Sequence, residues 1–370
     1  MERPPGLCDG WGMSLVRRYR ASGADPPLGD PLRAHGVAME GYFLRVTDHE
    51  RGRVVIALIG VNRGPEGHWA TLGLGSHAIG GAAGEGARTS SSSPLSSSLR
   101  VEAAPHGWAD PDRLGARSGE LFHYDADGVR VDLGEGARLH VTVNDPVPWP
   151  NPLVGGSSAA QVIPGLNQYW HPWLLGGSAR GWAELDGERW EFDGADVYGE
   201  KNWGREGFPG SWWWGQAHGF ADPGAVVAFA GGQVYAGPVH TEVTALVVRL
   251  PDGRVLRLGN PGLSPVRADV ADDHWLLDGR GYGWRVRVTG RAPLGRAHVL
   301  PVPLPSEGRN TAGAIEHLAS ELDVEVSRFG RPVWSGRSTL AALEHGGLER
   351  AERELRRRGV PPGAVCAAPQ

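Results

Sequence analysis

The chain has 370 residues, 40% hydrophobic and 21% charged, with a formal net charge of −5, enough to bury one large core or two medium ones. That charge lacks the basic footprint of a nucleic-acid binder, and no run reaches the roughly 20 apolar residues of a membrane-spanning helix. Cys8 and Cys366 are too few for a disulfide scaffold or a multi-cysteine metal site. The expected setting is a reducing cytoplasm, and the expected partner a small hydrophobic molecule.

In chain order, residues 1–34 carry Pro, Gly and Arg without an apolar core and read as an N-terminal extension. Alternating segments at 42–46 and 53–61 predict strands. The run at 80–98, rich in Gly and Ser, predicts a mobile surface loop. Strands follow at 128–133 and 138–143, and the proline-rich run 146–152 predicts a connector. Over 181–192 the sequence reads GWAEL, then Asp186-Gly187, then ERWEF. This predicts a two-residue type I′ hairpin pairing Glu184 with Arg189 and Ala183 with Trp190. Further strands are expected at 241–250, 254–258, 284–289, 322–327 and 338–343. Leu348, Ala351 and Leu355 form a thin apolar stripe over 348–358, predicting one short surface helix. Its arginines make a candidate peripheral contact with an anionic membrane.

Many short strands punctuated by 57 Gly and 29 Pro, without helical crossovers, predict an all-β fold of antiparallel barrels or sandwiches. The expected division is a first β-barrel over 35–220, a second over 221–347, and a C-terminal helix and tail over 348–370.

Eight of the fifteen tryptophans fall between Trp170 and Trp214. Period two puts Trp212 and Trp214 on one side of a strand and Trp213 on the other. Indoles turned inward in this way would line a broad apolar cavity, although such clusters also serve as plain packing. Polar residues sit among them: Tyr198, Glu200, Lys201 and Asn202. Lys201 is the only lysine in the chain. A carboxyl group among indoles is held neutral by desolvation and can donate a proton near neutral pH. His171 is the other titratable candidate. Glu200 and Lys201, being adjacent on a strand, should face opposite ways, with Lys201 free to pair with a structural carboxylate.

The run Tyr198-Gly199-Glu200-Lys201-Asn202-Trp203-Gly204, followed by Phe208-Pro209, Trp212, Trp214 and Gln216, resembles the signature of the tocopherol cyclase family. Trp170-His171-Pro172, the segment 181–192, the run 41–47 and the run 338–347 are also similar to that family. The resemblance implies a lipocalin-like architecture, two barrels packed together, remotely similar to the carotenoid hydratases. It implies closure of a chromanol ring on a prenylated benzoquinol without a cofactor. Such closure adds a phenol O–H across an alkene, which requires an acid, π faces beside the developing cation and exclusion of water. Glu200 is the expected proton donor, with His171 tuning it or accepting the phenol proton, and Tyr198 beside them. Trp203, Trp212 and Trp214 are expected to face the cation and wall the prenyl channel. Asn202 and Gln216 are expected to bind the quinol oxygens, and Trp173 and Lys201 complete the candidate binding set. No metal is expected, since His171 and His218 lack ligand spacing. Capture of the cation by water would make the protein a hydratase of an isoprenoid double bond, and absence of chemistry a carrier of prenylquinones or other lipids.

Overall fold

A computed structural model describes residues 9–79, 96–156, 158–236 and 239–361. Cys8, Cys366 and most of the Gly- and Ser-rich run fall outside these residues. The last residues of that run, 96–98, begin a strand instead of continuing a loop.

The chain is almost entirely antiparallel β. The first sheet comprises β1 (Met39–Asp48), β2 (Arg53–Gly64), β3 (Gly67–Ala78), β4 (Ser96–Pro105), β5 (Gly107–Ala109), β6 (Gly115–Ser118), β7 (Phe122–Asp125), β8 (Gly128–Asp132), β9 (Ala137–Pro148), β10 (Gln168–Leu185) and β11 (Glu188–Gly204). The second comprises β12 (Trp212–Ala217), β13 (Val226–Ala236), β14 (Val239–Arg249), β15 (Val255–Leu258), β16 (Val266–Val270), β17 (His274–Gly281), β18 (Trp284–Arg291), β19 (His298–Leu304), β20 (Arg309–Arg328) and β21 (Arg331–Gly346). Each sheet runs mostly between sequence neighbours, with β1 pairing β11 in the first and β12 pairing β21 in the second. The ends of each sheet approach one another. β5 turns back so that Gly107 abuts the Trp69 backbone of β3, and Gly259 N–H, after β15, donates to Ser264 O, before β16, at 2.6 Å. The result is two curled sheets packed together, each around its own core.

The sheets divide between Gly204 and Trp212, ahead of the expected boundary at 220/221, so the three consecutive tryptophans open the second sheet. The hairpin at Asp186-Gly187 has the expected pairing, with positive φ at both turn residues. A helix α2 (Leu348–Arg357) occupies the expected C-terminal position. Its Glu354 accepts from Arg357 and Arg358, so these arginines are engaged within the helix. A second helix, α1 (Asp9–Arg20), lies in the segment read as an N-terminal extension. Among the described residues no helix is long and apolar enough to cross a membrane.

Strands at the junction of the two sheets are buried on both faces, and this explains their near-continuous apolar runs. In β1 and β2, Tyr42, Leu44, Val55 and Ala57 fill the first barrel. Val54 and Ile56 point the other way, against Leu318 and Leu340 of the second sheet. Trp213, Phe229 and Trp275 fill the second barrel. Strands β8 and β17, away from the junction, alternate buried with partly or fully exposed positions.

Candidate functional site

A cavity of about 200 Å³ lies where the two sheets meet. Its wall is aromatic and contains three carboxyl groups. Trp170, Trp212, Trp214, Glu200, Glu316 and Glu344 all reach it. The aromatic cavity is therefore formed by the outer faces of two curled sheets, and each barrel's interior is a packed core.

Strand parity places the groups. On β11, Tyr198, Glu200 and Asn202 share the cavity face. On β10, Trp170 stands opposite Asn202 in the ladder and so shares their face. On β12, Trp212 and Trp214 face the cavity, while Trp213 packs in the core of the second barrel, as period two requires, and meets the cavity only at its edge. Two glycines make room. A Cβ at Gly41 would lie 2.1 Å from Asn202 Oδ1, and one at Gly346 would lie 1.8 Å from Trp212 Cε2, so neither position accepts a side chain unless its neighbour moves.

Glu200 is 5% exposed, and one of its oxygens collects three donors. Trp170 Nε1, Trp214 Nε1 and Tyr198 Oη donate to Oε2 at 2.8, 2.9 and 2.6 Å. Burial pushes the Glu200 carboxyl up to about 7, against the pull of these three hydrogen bonds. Burial and the neighbouring Glu200 raise the Tyr198 phenol far above its ordinary value, so Tyr198 remains a donor. Because Oε2 is crowded with N–H and O–H donors, a proton on this carboxyl sits on Oε1. When that proton leaves, the three donors stabilise the carboxylate.

A second acidic group faces the same space. Glu316 on β20 stands directly opposite Glu344 on β21, and Glu344 stands directly opposite Trp214 on its other side. Trp212 Nε1 donates to Glu344 Oε1, and the two carboxyl groups hydrogen-bond each other. Burial raises both, and repulsion from Glu344 raises Glu316 most. The pair therefore keeps a proton at neutral pH, held on Glu316 and donated towards Glu344. Neither residue stood out in the sequence, although Ile315-Glu316-His317 and Leu343-Glu344-His345 repeat one pattern, Glu-His after an aliphatic residue. Asn202 Oδ1, Gln168 Oε1 and Glu316 Oε2 are buried without a hydrogen-bond partner among the described residues, and all three side chains line the cavity.

Six of the expected site residues do not line it, and one of these, Tyr198, lies behind Glu200 and donates to it. Trp203 lies an odd number of residues from Glu200 and faces the other way, stacked on His35 and Tyr169 and donating to Gly23 O. Lys201 shares that side, its Nζ 3.0 Å from Glu40 Oε2. His171, opposite Lys201 in the ladder, accepts from Gly156 N–H through Nδ1. Burial drives its imidazolium down to about 3, so it stays neutral and does not tune Glu200 by contact. Trp173 lies within the bulge between Pro172 and Leu174 and packs in the first barrel, donating to Tyr124 Oη at 3.0 Å. Gln216 lies beyond the cavity, its Nε2 3.0 Å from His218 Nδ1.

Residues 133–347 match the family described as Tocopherol cyclase-like. A relative from Oryza sativa subsp. japonica, named "Probable tocopherol cyclase, chloroplastic", is 30% identical over 209 residues. That alignment takes in 50% of this chain and 41% of the rice protein, less than half of that relative's length. Among solved structures, CghA aligns with a TM-score of 0.52 at 13% identity, covering 84% of this chain and 88% of the other. Kievitone hydratase from Nectria haematococca aligns with a TM-score of 0.50 at 11% identity, covering 84% and 89%. These two likenesses concern the fold.

Proposed function

Because the chain belongs to the tocopherol cyclase-like family, we propose that it is a cofactor-independent isomerase that closes a chromanol ring on a prenylated benzoquinol. The observation that carries this reading is Glu200: a buried carboxyl, raised to about 7, with its conjugate base prepared by three donors on one oxygen and indole rings around it.

In the proposed reaction the Glu200 Oε1–H bond breaks and a C–H bond forms at the less substituted alkene carbon. Positive charge develops on the tertiary carbon, beside the faces of Trp170, Trp212 and Trp214. Each cation–π contact contributes about 2 kcal/mol when desolvated. The phenolic oxygen attacks that carbon and loses its proton to Glu344, while Glu316 steadies the anionic pair before transfer. The proton then returns to Glu200, so atoms and electrons balance within the substrate. Asn202 Oδ1 and Gln168 Oε1, both without a hydrogen-bond partner among the described residues, supply acceptors for quinol hydroxyls. In this scheme the base role expected of His171 passes to Glu344.

Incubation with a panel of prenylated hydroquinones, read by mass spectrometry, tests the proposal. A chromanol has the mass of its substrate, whereas capture of the same cation by water adds one water to the product. A hydrated product would assign the chemistry of a hydratase, and tight binding with no product that of a carrier.

Glu344→Gln checks the base. Its raised carboxyl should give kcat/KM an acid limb, with activity lost as falling pH protonates it, and Glu200 should give the basic limb. The variant should lose about a hundredfold in kcat and keep only the basic limb. A bell-shaped profile unchanged in Glu344→Gln removes the pair from the mechanism.

A further inference from the structure

Three connections gather at one end of the second barrel: the loop between β15 and β16, the Tyr282-Gly283 turn between β17 and β18, and the Phe329-Gly330 turn between β20 and β21. They touch. Phe329 N–H donates to Gly283 O at 2.7 Å, and Arg280 N–H to Pro265 O at 3.1 Å. Each presents a large apolar side chain to solvent, with Leu263 69%, Tyr282 61% and Phe329 76% exposed.

Both hairpin turns take a left-handed residue first, with φ of 55° at Tyr282 and 47° at Phe329. Asn, Asp and Gly suit that position, and a bulky aromatic there is strained. The turn at Asp186-Gly187, elsewhere in this chain, shows the ordinary solution. Neither aromatic ring offsets its strain by burial.

The flanks repeat the pattern in charge. Arg280 stands opposite Arg285, and Arg328 opposite Arg331. Like charges directly opposed weaken a hairpin. Asp278 binds Arg280 and Arg285 at 2.9 and 2.8 Å, but no salt bridge to Arg328 or Arg331 occurs among the described residues. Arg328 instead lies over the rings of Trp284 and Phe329, 5.0 and 5.5 Å from their centroids.

Strained turns, exposed rings and opposed cations are costs to the free protein, and one kind of partner relieves the last two together. A lipid bilayer with anionic headgroups offers phosphates to arginines and an apolar layer just beneath them to aromatic and aliphatic tips. A soluble polyanion would satisfy the arginines and leave Leu263 and the two rings in water. The geometry points to this end of the second barrel as a docking surface for an anionic bilayer. Leu263, Tyr282 and Phe329 enter the headgroup boundary, and Arg328 and Arg331 pair with lipid phosphates. The surface uses no residue of the cavity and stands whether or not the chain is a cyclase.

Sedimentation of the full chain with extruded vesicles tests it. The protein should bind vesicles of equimolar phosphatidylglycerol and phosphatidylcholine, and bind phosphatidylcholine alone about tenfold or more weakly. The double variant Tyr282→Asn, Phe329→Asn places a residue suited to the left-handed conformation in each turn. It should melt at or above the parent temperature while its vesicle affinity falls about tenfold or more. Arg328→Gln with Arg331→Gln should remove the preference for anionic vesicles. Failure of the parent chain to sediment with the anionic vesicles, or undiminished binding by a folded Asn double variant, overturns the proposal. Binding to soluble heparin as tight as to the vesicles, and indifferent to the two Asn substitutions, overturns it as well.

Discussion

Glu200→Gln should lower turnover by about two to four orders of magnitude while folding at least as well as the parent chain. The amide still offers an oxygen to the Trp170, Trp214 and Tyr198 donors that now converge on Oε2, so the cavity wall should keep its shape, but it has no acidic proton for an alkene. In the parent chain turnover should fall as pH rises through about 7, because the reactive form is the protonated one. The same shift sets a stability effect. A folded Glu200 holds its proton to about pH 7, whereas an unfolded glutamate releases it near 4.5. Between those values the unfolded state binds fewer protons, so stability falls as pH rises, by about 3 kcal/mol in full. Gln carries no such penalty. Thermal melts should find Glu200→Gln more stable than the parent above pH 7, with the gain fading below the ordinary glutamate range. An active Glu200→Gln enzyme would discard Glu200 as the acid.

Lys201→Met should destabilise the chain by about 3–5 kcal/mol. Lys201 and Glu40 side chains are fully buried, with Nζ 3.0 Å from Oε2. Nζ also meets Arg33 O at 2.7 Å, Pro31 O at 3.2 Å and His35 Nδ1 at 3.0 Å. Glu40 is further held by Arg63 at 2.9 Å and by the N–H groups of His35 and Gly36. Burial alone would raise the Glu40 carboxyl, but Lys201, His35 and Arg63 hold it well below the ordinary carboxylate range. Its contribution is therefore present above the unfolded glutamate value and lost as pH falls beneath it. Removing Lys201 leaves Glu40 with Arg63 as its remaining side-chain ion-pair partner apart from the neighbouring His35. Glu40→Gln together with Lys201→Met should cost less than the two single changes added, since neither Glu40 nor Lys201 is then left charged without the other. Denaturant midpoints for the four chains measure this. Additive costs would mean that the pair is not coupled. Because Lys201 faces away from Glu200, the folded fraction of Lys201→Met should keep its turnover.

Much of this arrangement is legible in the linear chain, through parity above all. Alternation along 198–203 separates Glu200 from Lys201, and along 212–214 it separates Trp213 from its neighbours, as the structure shows. Parity carried one step further excludes Trp203 from the company of Glu200; its indole was grouped with the rest by composition. Trp173, an odd number of residues from Trp170, is excluded by the same rule, and it is Leu174, after the bulge, that breaks the alternation by joining Trp173 in the first core. The cavity's position between the sheets was not legible, since a strand buried on both faces shows the same apolar run whichever side encloses a ligand. Glu316 and Glu344 meet only through the β20–β21 ladder, and pairing across a long hairpin follows from its register, which local pattern does not reveal. The helix α1 is signalled only by Trp11, Leu15 and Tyr19 at i, i+4 and i+8, a short stripe outweighed by the Pro, Gly and Arg content of residues 1–34.

The cavity wall is a joint product of two halves of the polypeptide. The carboxyl group at 200, with Tyr198 and Trp170, is delivered by the segment before residue 205. Its indole partner Trp214 and the opposing carboxylates Glu316 and Glu344 are delivered by the segment after 211. Severing the chain between them would leave each fragment with a complete core of its own and neither with a reaction chamber. A molecule seated in that chamber grips both halves at once, so its binding energy acts as a clamp on their docking and should appear as ligand-dependent resistance to their separation.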